Sequence, residues 1–194
     1  MAFVSRAGEK LQFAVDSFNL NLKNLICADF GASTGGFVDC ILQAGAVKVY
    51  AVEVGYGTID WKLRNDPRVV VMEKTNAMHV ALPEKVDFIS IDVGWTKQKL
   101  ILPNAFDNLT DSGKIVSLIK PHYEAPKEFI MKGKLMEEKI EEVLESAKKD
   151  IAQAGGKVEE IVESPILGEK GKNKEYLVLI TPQFINLGID KPTP

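Results

Sequence analysis

The fold is decided by residues 28–37, Ala-Asp-Phe-Gly-Ala-Ser-Thr-Gly-Gly-Phe. The apolar run Leu25-Ile26-Cys27 precedes this stretch, and apolar residues follow it at helical spacing: Val38, Ile41 and Leu42. This order predicts a strand, a glycine-rich turn and a helix. Such a turn brings backbone N–H groups close to a ligand at the positive end of a helix dipole. Asp29 adds an acceptor at the end of the strand, so we expect a nucleoside-type cofactor here.

Size and composition fit a single globular domain. The chain has 194 residues, 45% of them hydrophobic and 26% charged, which allows a hydrophobic core of ordinary size. No apolar run approaches the roughly 20 residues of a membrane-spanning helix. The N-terminus lacks the basic and then apolar order of a signal peptide. We therefore expect a cytoplasmic protein that does not contact a membrane.

The charge pattern limits the partners. A net charge of −3 argues against non-specific binding to nucleic acid, although it allows a local basic face. Lysines are densest at 127–149 and 170–174, and the glutamates between the first group predict a solvated helix face. The only cysteines, Cys27 and Cys40, are predicted to be buried thiols. Two cysteines and two distant histidines form no ligand cluster, so we expect no metal site.

Hydrophobic periodicity predicts alternating strands and helices. The predicted strands cover residues 25–30, 47–52, 69–72, 86–91, 114–119, 158–162 and 176–180. The predicted helices are a first helix capped by Ser5 with an apolar face of Leu11, Ala14, Val15 and Phe18, and helices over 36–44, 97–108 and 131–154. This alternation predicts an α/β fold with a mainly parallel seven-stranded sheet. No helix separates the last two strands, so we expect one antiparallel strand, in one domain over 1–182 with a loose tail over 183–194.

Polar residues stand where the predicted strands end, which is where open parallel sheets bind ligands. They are Asp29, Glu53, Thr75, Asn76, Asp92 and Lys120. Any one of them could be a helix cap or a turn residue. Their convergence on one edge of the sheet favours a binding site.

The glycine turn is compatible with few cofactors. The G-x-G-x-x-G fingerprint of dinucleotide folds is absent, and no Lys-Ser/Thr pair of a P-loop follows the last glycine. Residues 31–35 match G-x-S-x-G, but a serine hydrolase also needs a late histidine, and His122 is the only candidate after most of the acids. S-adenosylmethionine requires a close turn for its methionine part and an acid for its ribose hydroxyls. Asp29, the turn and Glu53 supply these parts, and carboxylates favour the cationic sulfonium.

Four segments make the chain recognisable. They are residues 4–11 (Val-Ser-Arg-Ala-Gly-Glu-Lys-Leu), 29–37, 50–57 (Tyr-Ala-Val-Glu-Val-Gly-Tyr-Gly) and 61–68 (Trp-Lys-Leu-Arg-Asn-Asp-Pro-Arg). They resemble the FtsJ-like methyltransferases, in particular the TlyA, or hemolysin A, subgroup, which is similar to ribosomal RNA ribose 2'-O-methyltransferases. The resemblance runs from about Val4 to Ile180. It implies a Rossmann-like S-adenosylmethionine-dependent methyltransferase fold, S-adenosylmethionine as cofactor, and ribosomal RNA or a ribosomal subunit as partner.

The resemblance also implies site residues. A family tetrad of Lys-Asp-Lys-Glu matches Lys10, Asp92, Lys120 and Glu175. Implied cofactor contacts are Gly35 and Phe37, Glu53 at the ribose, Asn76 near the adenine, and Asp92. With the rest of the turn, the candidate cofactor residues are Asp29, Gly31, Ala32, Ser33, Gly35, Gly36, Phe37, Glu53, Asn76 and Asp92.

A ribose hydroxyl needs a base, and the tetrad suggests one. Lysine has an ordinary pKa of about 10.4, which burial and a second ammonium nearby would lower. We therefore predict that Lys120 is the base and that Lys10 lowers its pKa, while Asp92 and Glu175 orient the pair. Pro121 is expected to keep Lys120 extended at the strand end.

Two departures from the subgroup affect the functional prediction. The subgroup usually has Asp-Val-Ser-Phe-Ile-Ser after the fourth strand, whereas residues 92–97 here are Asp-Val-Gly-Trp-Thr-Lys. Trp95 is expected either to stack on a base or on the adenine, or to pack under the next helix. Subgroup members usually carry a preceding RNA-binding domain, which we expect to be absent or trimmed because the chain begins almost at Lys10.

The predicted function is RNA ribose 2'-O-methylation, and the alternative is a hemolysin-like cofactor-binding protein with little catalysis that acts in RNA or ribosome assembly.

Overall fold

The computed structural model describes residues 2–168 and 171–183. Its strands are β1 (Ile26–Phe30), β2 (Lys48–Val52), β3 (Val69–Met72), β4 (Val86–Ile91), β5 (Leu109–Ile119), β6 (Ile130–Met131), β7 (Lys134–Leu135), β8 (Gly156–Glu163) and β9 (Tyr176–Pro182). Its helices are α1 (Ala7–Ser17), α2 (Gly36–Gln43), α3 (Trp61–Arg64), α4 (Gln98–Asn108), α5 (Pro121–Glu124) and α6 (Ile140–Gln153).

Seven strands form one sheet in the order β3-β2-β1-β4-β5-β9-β8. Strands β1 to β5 pair in parallel, and β9 pairs antiparallel with both β5 and β8. The predicted α/β fold, a mainly parallel seven-stranded sheet with one antiparallel strand, is confirmed. The carboxyl ends of β1, β2, β4 and β5 consequently meet at one edge of the sheet, where the polar residues were expected.

Each face of the sheet carries its own hydrophobic core, because side chains alternate between the faces along every strand. One core packs α1 and α2 on the sheet and includes Leu11, Phe18, Ile41, Cys27 and Phe88. The other packs α4 and α6 and includes Ala28, Ile89, Ile101, Ala147 and Ile151. Both cysteines are buried free thiols, as predicted.

The predicted helix over 131–154 is wrong in its first part. Residues 130–135 form the β6–β7 hairpin, and α6 begins only at Ile140. Lys132 and Gly133 adopt left-handed backbone angles, with φ of +49° and +78°, which turn the chain and stop a helix. The buried stripe of α6 begins at Val143, and no residue from 130 to 142 is buried, so the sheet does not hold this segment as a helix.

The first helix also differs from its prediction at the N-terminus. It begins at Ala7 after Arg6, and no side chain caps it. Ser5 instead packs against the glycine turn: a Cβ on Gly36 would lie 2.2 Å from Ser5 Oγ. The apolar face of the helix is buried as predicted. The start of α1 therefore packs directly on the turn between β1 and α2.

Two further predictions concern the chain as a whole. Over residues 2–168 and 171–183, the structure has no helix with the length and hydrophobicity that crossing a membrane requires. The predicted tail falls on residues 183–194, of which 184–194 lie outside the described residues.

Candidate active site

The glycine turn is built around the close approach of β1 and β4. Gly31 has φ of +90°, and a Cβ there would lie 2.5 Å from the carbonyl oxygen of Asp92. Its N–H donates to Val52 O at 2.9 Å, which ties the turn to β2. Glycine is required at this position by both the backbone conformation and the space. As a result, Asp92 stands directly beside the turn.

Glu53 at the end of β2 is fixed by backbone donors. Its Oε2 accepts from the Ser33 N–H at 2.8 Å, and its Oε1 accepts from the Gly55 N–H at 2.6 Å. Ser33 itself adopts a left-handed backbone conformation, with φ of +50°. Each carboxylate oxygen has a further lone pair, so Glu53 can still accept from a ligand hydroxyl.

Asp29 at the end of β1 is a buried carboxyl group. Its Oδ1 accepts from Ser90 Oγ at 2.6 Å, whereas Oδ2 has no hydrogen-bond partner within the described part of the chain. Burial raises the pKa of Asp29 to about 7, and the charges of Asp92 and Glu53 add to the rise against the lowering effect of the Ser90 bond. A cationic group placed here would relieve both the missing partner and the carboxylate repulsion.

The strand ends line a cleft that fits the size of a nucleoside cofactor. A cavity of about 480 Å³ is lined by Gly31, Ser33, Glu53, Thr75, Asn76, Met78, Asp92 and Lys120, among others. A smaller cavity of about 100 Å³ adjoins it and is lined by Asp29, Ala32, Gly36 and Phe37, together with residues of the first. Gly35 lines neither of these two cavities. A Cβ there would meet the side chain of Leu63 at 2.2 Å.

The four tetrad residues line a further cavity of about 540 Å³, the tetrad cavity. They form two ion pairs. Lys10 Nζ lies 2.5 Å from Glu175 Oε2, and Lys120 Nζ lies 2.6 Å from Asp92 Oδ1. The first pair is almost completely buried between α1 and the segment before β9, and the second lies at the ends of β4 and β5. Ser33, Asp92 and Lys120 line both this cavity and the cofactor cleft, so the two spaces meet there.

The predicted lowering of the Lys120 pKa is wrong for this arrangement. Burial lowers the pKa of Lys120, but the opposing charge of Asp92, supported by Glu175, raises it more, so the pKa stands above its ordinary value. Lys10 does not act on Lys120 as an unbalanced charge, because Glu175 pairs with it. The backbone of Lys120 is extended, with φ of −111° and ψ of 94°, as expected before Pro121.

An aromatic pair stands at the mouth of the tetrad cavity. Trp95 is 83% exposed and stacks on Tyr123, with ring centroids 4.5 Å apart. The prediction that Trp95 packs under the next helix is therefore wrong. Lys97 Nζ donates to Glu124 O at 2.8 Å, and this bond holds the loop after β4 against α5.

Tyr123 and His122 also line the tetrad cavity, from α5. No sequence pattern predicted a role for Tyr123, and His122 was considered only as the histidine of a serine hydrolase. Helix α5 has only four residues, too few for a periodic pattern. The signal that could have revealed it is Pro121 directly after the strand, since proline favours the first position of a helix.

The family of the chain is shown by comparison with known proteins. Residues 3–181 match the model of the FtsJ-like methyltransferases. The chain belongs to this family. It is 42% identical to Hemolysin A of Brachyspira hyodysenteriae, over 90% of this chain and 75% of that protein. It is 35% identical to the 16S/23S rRNA (cytidine-2'-O)-methyltransferase TlyA of Mycobacterium tuberculosis, over 94% of this chain and 69% of that protein.

Solved structures agree with the assignment of this FtsJ-like protein. A protein of Streptococcus thermophilus that carries a hemolysin name superposes with a TM-score of 0.91 at 40% identity, over 95% of this chain and 68% of that one. Aeropyrum pernix fibrillarin, solved with bound S-adenosyl-L-methionine, superposes with a TM-score of 0.63 at 16% identity, over 88% of this chain and 74% of that one. The second likeness shows a shared fold.

The raised pKa of Asp29 predicts a pH-dependent stability. The folded state holds a proton on Asp29 up to about pH 7, whereas the unfolded chain releases it near its ordinary value. The stabilisation of the folded state by this proton is fully present below about pH 4. It is lost as the pH rises from there through about 7, by up to about 1.4 kcal/mol per pH unit. Asp29→Asn should remove this component of the slope, as measured by urea unfolding from pH 4 to 8.

Asp111→Asn is the matched control, because Asp111 is an exposed carboxyl group on β5. Its unfolding free energy should follow the pH dependence of the unsubstituted protein. Parallel curves for Asp29→Asn and the unsubstituted protein would contradict the assignment of a raised pKa to Asp29.

Proposed function

We propose that this FtsJ-like protein transfers a methyl group from S-adenosylmethionine to a ribose 2'-hydroxyl of ribosomal RNA. The observation that carries the proposal is the meeting of two spaces. The tetrad side chains line one cavity, the strand-end carboxylates line the other, and Asp92 and Lys120 belong to both. A methyl donor held in the cofactor cleft and a ribose hydroxyl held in the tetrad cavity would face each other across Asp92 and Lys120.

The cofactor cleft fits S-adenosylmethionine by its chemistry. The cofactor supplies an electrophilic methyl group on a cationic sulfonium. In the proposed complex, Asp29 Oδ2 accepts from the methionine ammonium, for which its buried and unpartnered oxygen is suited. Glu53 accepts from the ribose hydroxyls, and Asn76, which lines the same cleft, is proposed to contact the adenine. The remaining candidate residues of the turn shape its backbone, and Gly35 in particular is proposed to act through the turn rather than by contact.

The tetrad explains how a hydroxyl could be made reactive. Lys120 begins as an ammonium, because Asp92 holds its proton. A positive charge in the cofactor cleft would be attracted to the same Asp92 carboxylate. It would offset the negative charge that Lys120 experiences and so lower the pKa of Lys120. Once its ammonium proton has passed to solvent, Lys120 would take the proton of the 2'-hydroxyl. The bound cofactor would supply the methyl group to that oxygen, and its sulfur would keep the electrons of the carbon–sulfur bond. Lys10, paired with Glu175, is left to donate to the ribose oxygens.

RNA as the acceptor is supported by the names of relatives and by the mouth of the cavity. The Mycobacterium tuberculosis relative is named as a methyltransferase of 16S/23S rRNA. The exposed ring of Trp95, backed by Tyr123, offers a flat surface of the kind on which unpaired bases stack. We propose that the base of the target nucleotide stacks there.

The first test is methyl transfer. The protein would be incubated with radiolabelled S-adenosylmethionine and with ribosomal subunits or purified ribosomal RNA. We expect label in RNA at one site that resists alkaline cleavage, since a 2'-O-methyl group blocks that cleavage. Lys120→Ala should lower the rate by about 10²- to 10⁴-fold, the usual contribution of a general base. Cofactor binding without transfer to any RNA would contradict the proposal and favour the alternative of a binding protein with little catalysis.

The charge state of Lys120 predicts the pH dependence of the reaction. Because Lys120 must lose a proton from a raised pKa before the cofactor binds, kcat/KM for S-adenosylmethionine should rise with pH between 7 and 9, by up to about tenfold per pH unit. Asp92→Asn removes the charge that holds this proton. Its rates should be lower, and its rising limb should lie at lower pH than that of the unsubstituted protein. A pH-independent kcat/KM for S-adenosylmethionine would contradict the role of Lys120 as base.

The stacking surface predicts a selective effect on RNA. Stacking on an aromatic side chain is worth about 1–3 kcal/mol per base, so Trp95→Ala should raise the KM for RNA roughly 5- to 150-fold. Trp95→Phe is the matched control and should retain most of the affinity. The dissociation constant for S-adenosylmethionine, measured by calorimetry, should be the same in all three proteins. Equal KM values for Trp95→Ala and the unsubstituted protein would overturn the stacking role.

A further inference from the structure

Two tight turns lie against each other beside the tetrad cavity, and each presents a lysine. The first is Lys132-Gly133 between β6 and β7, and the second is Gly171-Lys172 before β9. All four residues are left-handed, with φ of +49°, +78°, +74° and +52°. Lysine rarely adopts this conformation, so both lysines are held on turns whose backbone would suit glycine or asparagine better.

A buried asparagine joins the two turns. Asn173 Nδ2 donates to Gly133 O at 3.0 Å, and Asn173 Oδ1 accepts from the Leu135 N–H at 3.1 Å. The turns also touch directly, since a Cβ on Gly171 would lie 3.1 Å from Gly133 O. Asn173 is only 7% exposed, so its amide fixes the position of one lysine turn relative to the other.

The lysines here are in excess over their acidic partners. Lys174 pairs with Glu137 at 3.3 Å and with Glu163 at 3.7 Å. Lys132, Lys134 and Lys172 are exposed, and none of them forms an ion pair within residues 2–168 and 171–183. Three unpaired positive charges on one small surface are notable in a chain whose net charge is −3.

This surface continues into the tetrad cavity. Lys134, Lys172 and Asn173 line a concavity of about 150 Å³ together with His122 and the ion pair of Lys174 with Glu137. His122 also lines the tetrad cavity, as do Lys10 and Glu175. A polymeric ligand that extends out of the tetrad cavity past His122 therefore reaches Lys134 and Lys172 next.

We propose that Lys132, Lys134 and Lys172 bind phosphates of the RNA strand next to the nucleotide in the tetrad cavity. This inference rests on the proposed function, because the RNA strand is the polyanion that must pass the mouth of that cavity. Ammonium groups bind phosphate as point charges, and several on a fixed support set the register of the strand without reading its sequence. The two linked turns provide that support.

The experiment compares charge removal on this surface with charge removal elsewhere. The test protein is Lys132→Ala/Lys134→Ala/Lys172→Ala. The control is Lys23→Ala/Lys114→Ala/Lys149→Ala, which removes three exposed lysines that line neither the tetrad cavity nor the concavity beside it. A third protein with Lys132→Arg/Lys134→Arg/Lys172→Arg keeps the charge. Binding of purified 16S and 23S ribosomal RNA would be measured from 50 to 300 mM salt, and cofactor binding and melting temperature in parallel.

We expect the test protein to bind RNA at least about tenfold more weakly at low salt. Its plot of log affinity against log salt should be flatter by about 2, since each phosphate contact contributes roughly 0.7 on single strands. The control and the arginine protein should retain the slope of the unsubstituted protein. A test protein that matches the control in affinity and slope would overturn the proposal.

Failure of the proposed function has a different signature. In that case no RNA would receive label from S-adenosylmethionine with any of these proteins, including the unsubstituted one. The difference in salt slope between the test protein and the control would still report phosphate binding at the lysine turns. Binding and transfer therefore test the two proposals separately.

Discussion

The ion pair between Lys10 and Glu175 holds the site together, because it joins the first helix to the segment that leads into the last strand. Both side chains are almost completely buried. Removing one partner from such a pair leaves an uncompensated buried charge, which costs about 3–5 kcal/mol. The pair closes one wall of the tetrad cavity and fixes α1 against the sheet. The start of α1 packs on the glycine turn through the contact between Ser5 and Gly36.

The second ion pair links the two spaces of the site. Asp92 lies beside the turn because Gly31 leaves room for its backbone, and it holds Lys120 from that position. The same carboxylate helps to raise the pKa of buried Asp29. One side chain thus acts on the cofactor cleft and on the acceptor cavity. This shared position gives the protein an electrostatic route by which a cation in one space could alter proton binding in the other.

Much of the fold could be predicted from local patterns. The strands from β1 to β4 and the helix after the glycine turn follow from apolar runs and spacing, and the reversed last strand follows from the lack of a helix before it. The predicted helix over 131–154 was wrong at its start, because alternating charges resemble a helix face whether or not that face packs on a core. The prediction that Ser5 caps the first helix was also wrong. A good capping residue acts as a cap only where the chain enters the helix at that residue, and α1 begins after Arg6.

The sequence by itself determined the family, the strand ends and the residue types at the site, because those depend on short motifs and on periodicity. Tertiary structure alone decided the charge state of Lys120, since a pKa depends on partners that are distant in sequence, here Asp92 and Glu175. It also decided that Trp95 stacks on Tyr123 and that two lysine turns meet through Asn173. These contacts join residues 28 to 40 positions apart, and no local pattern encodes such distances.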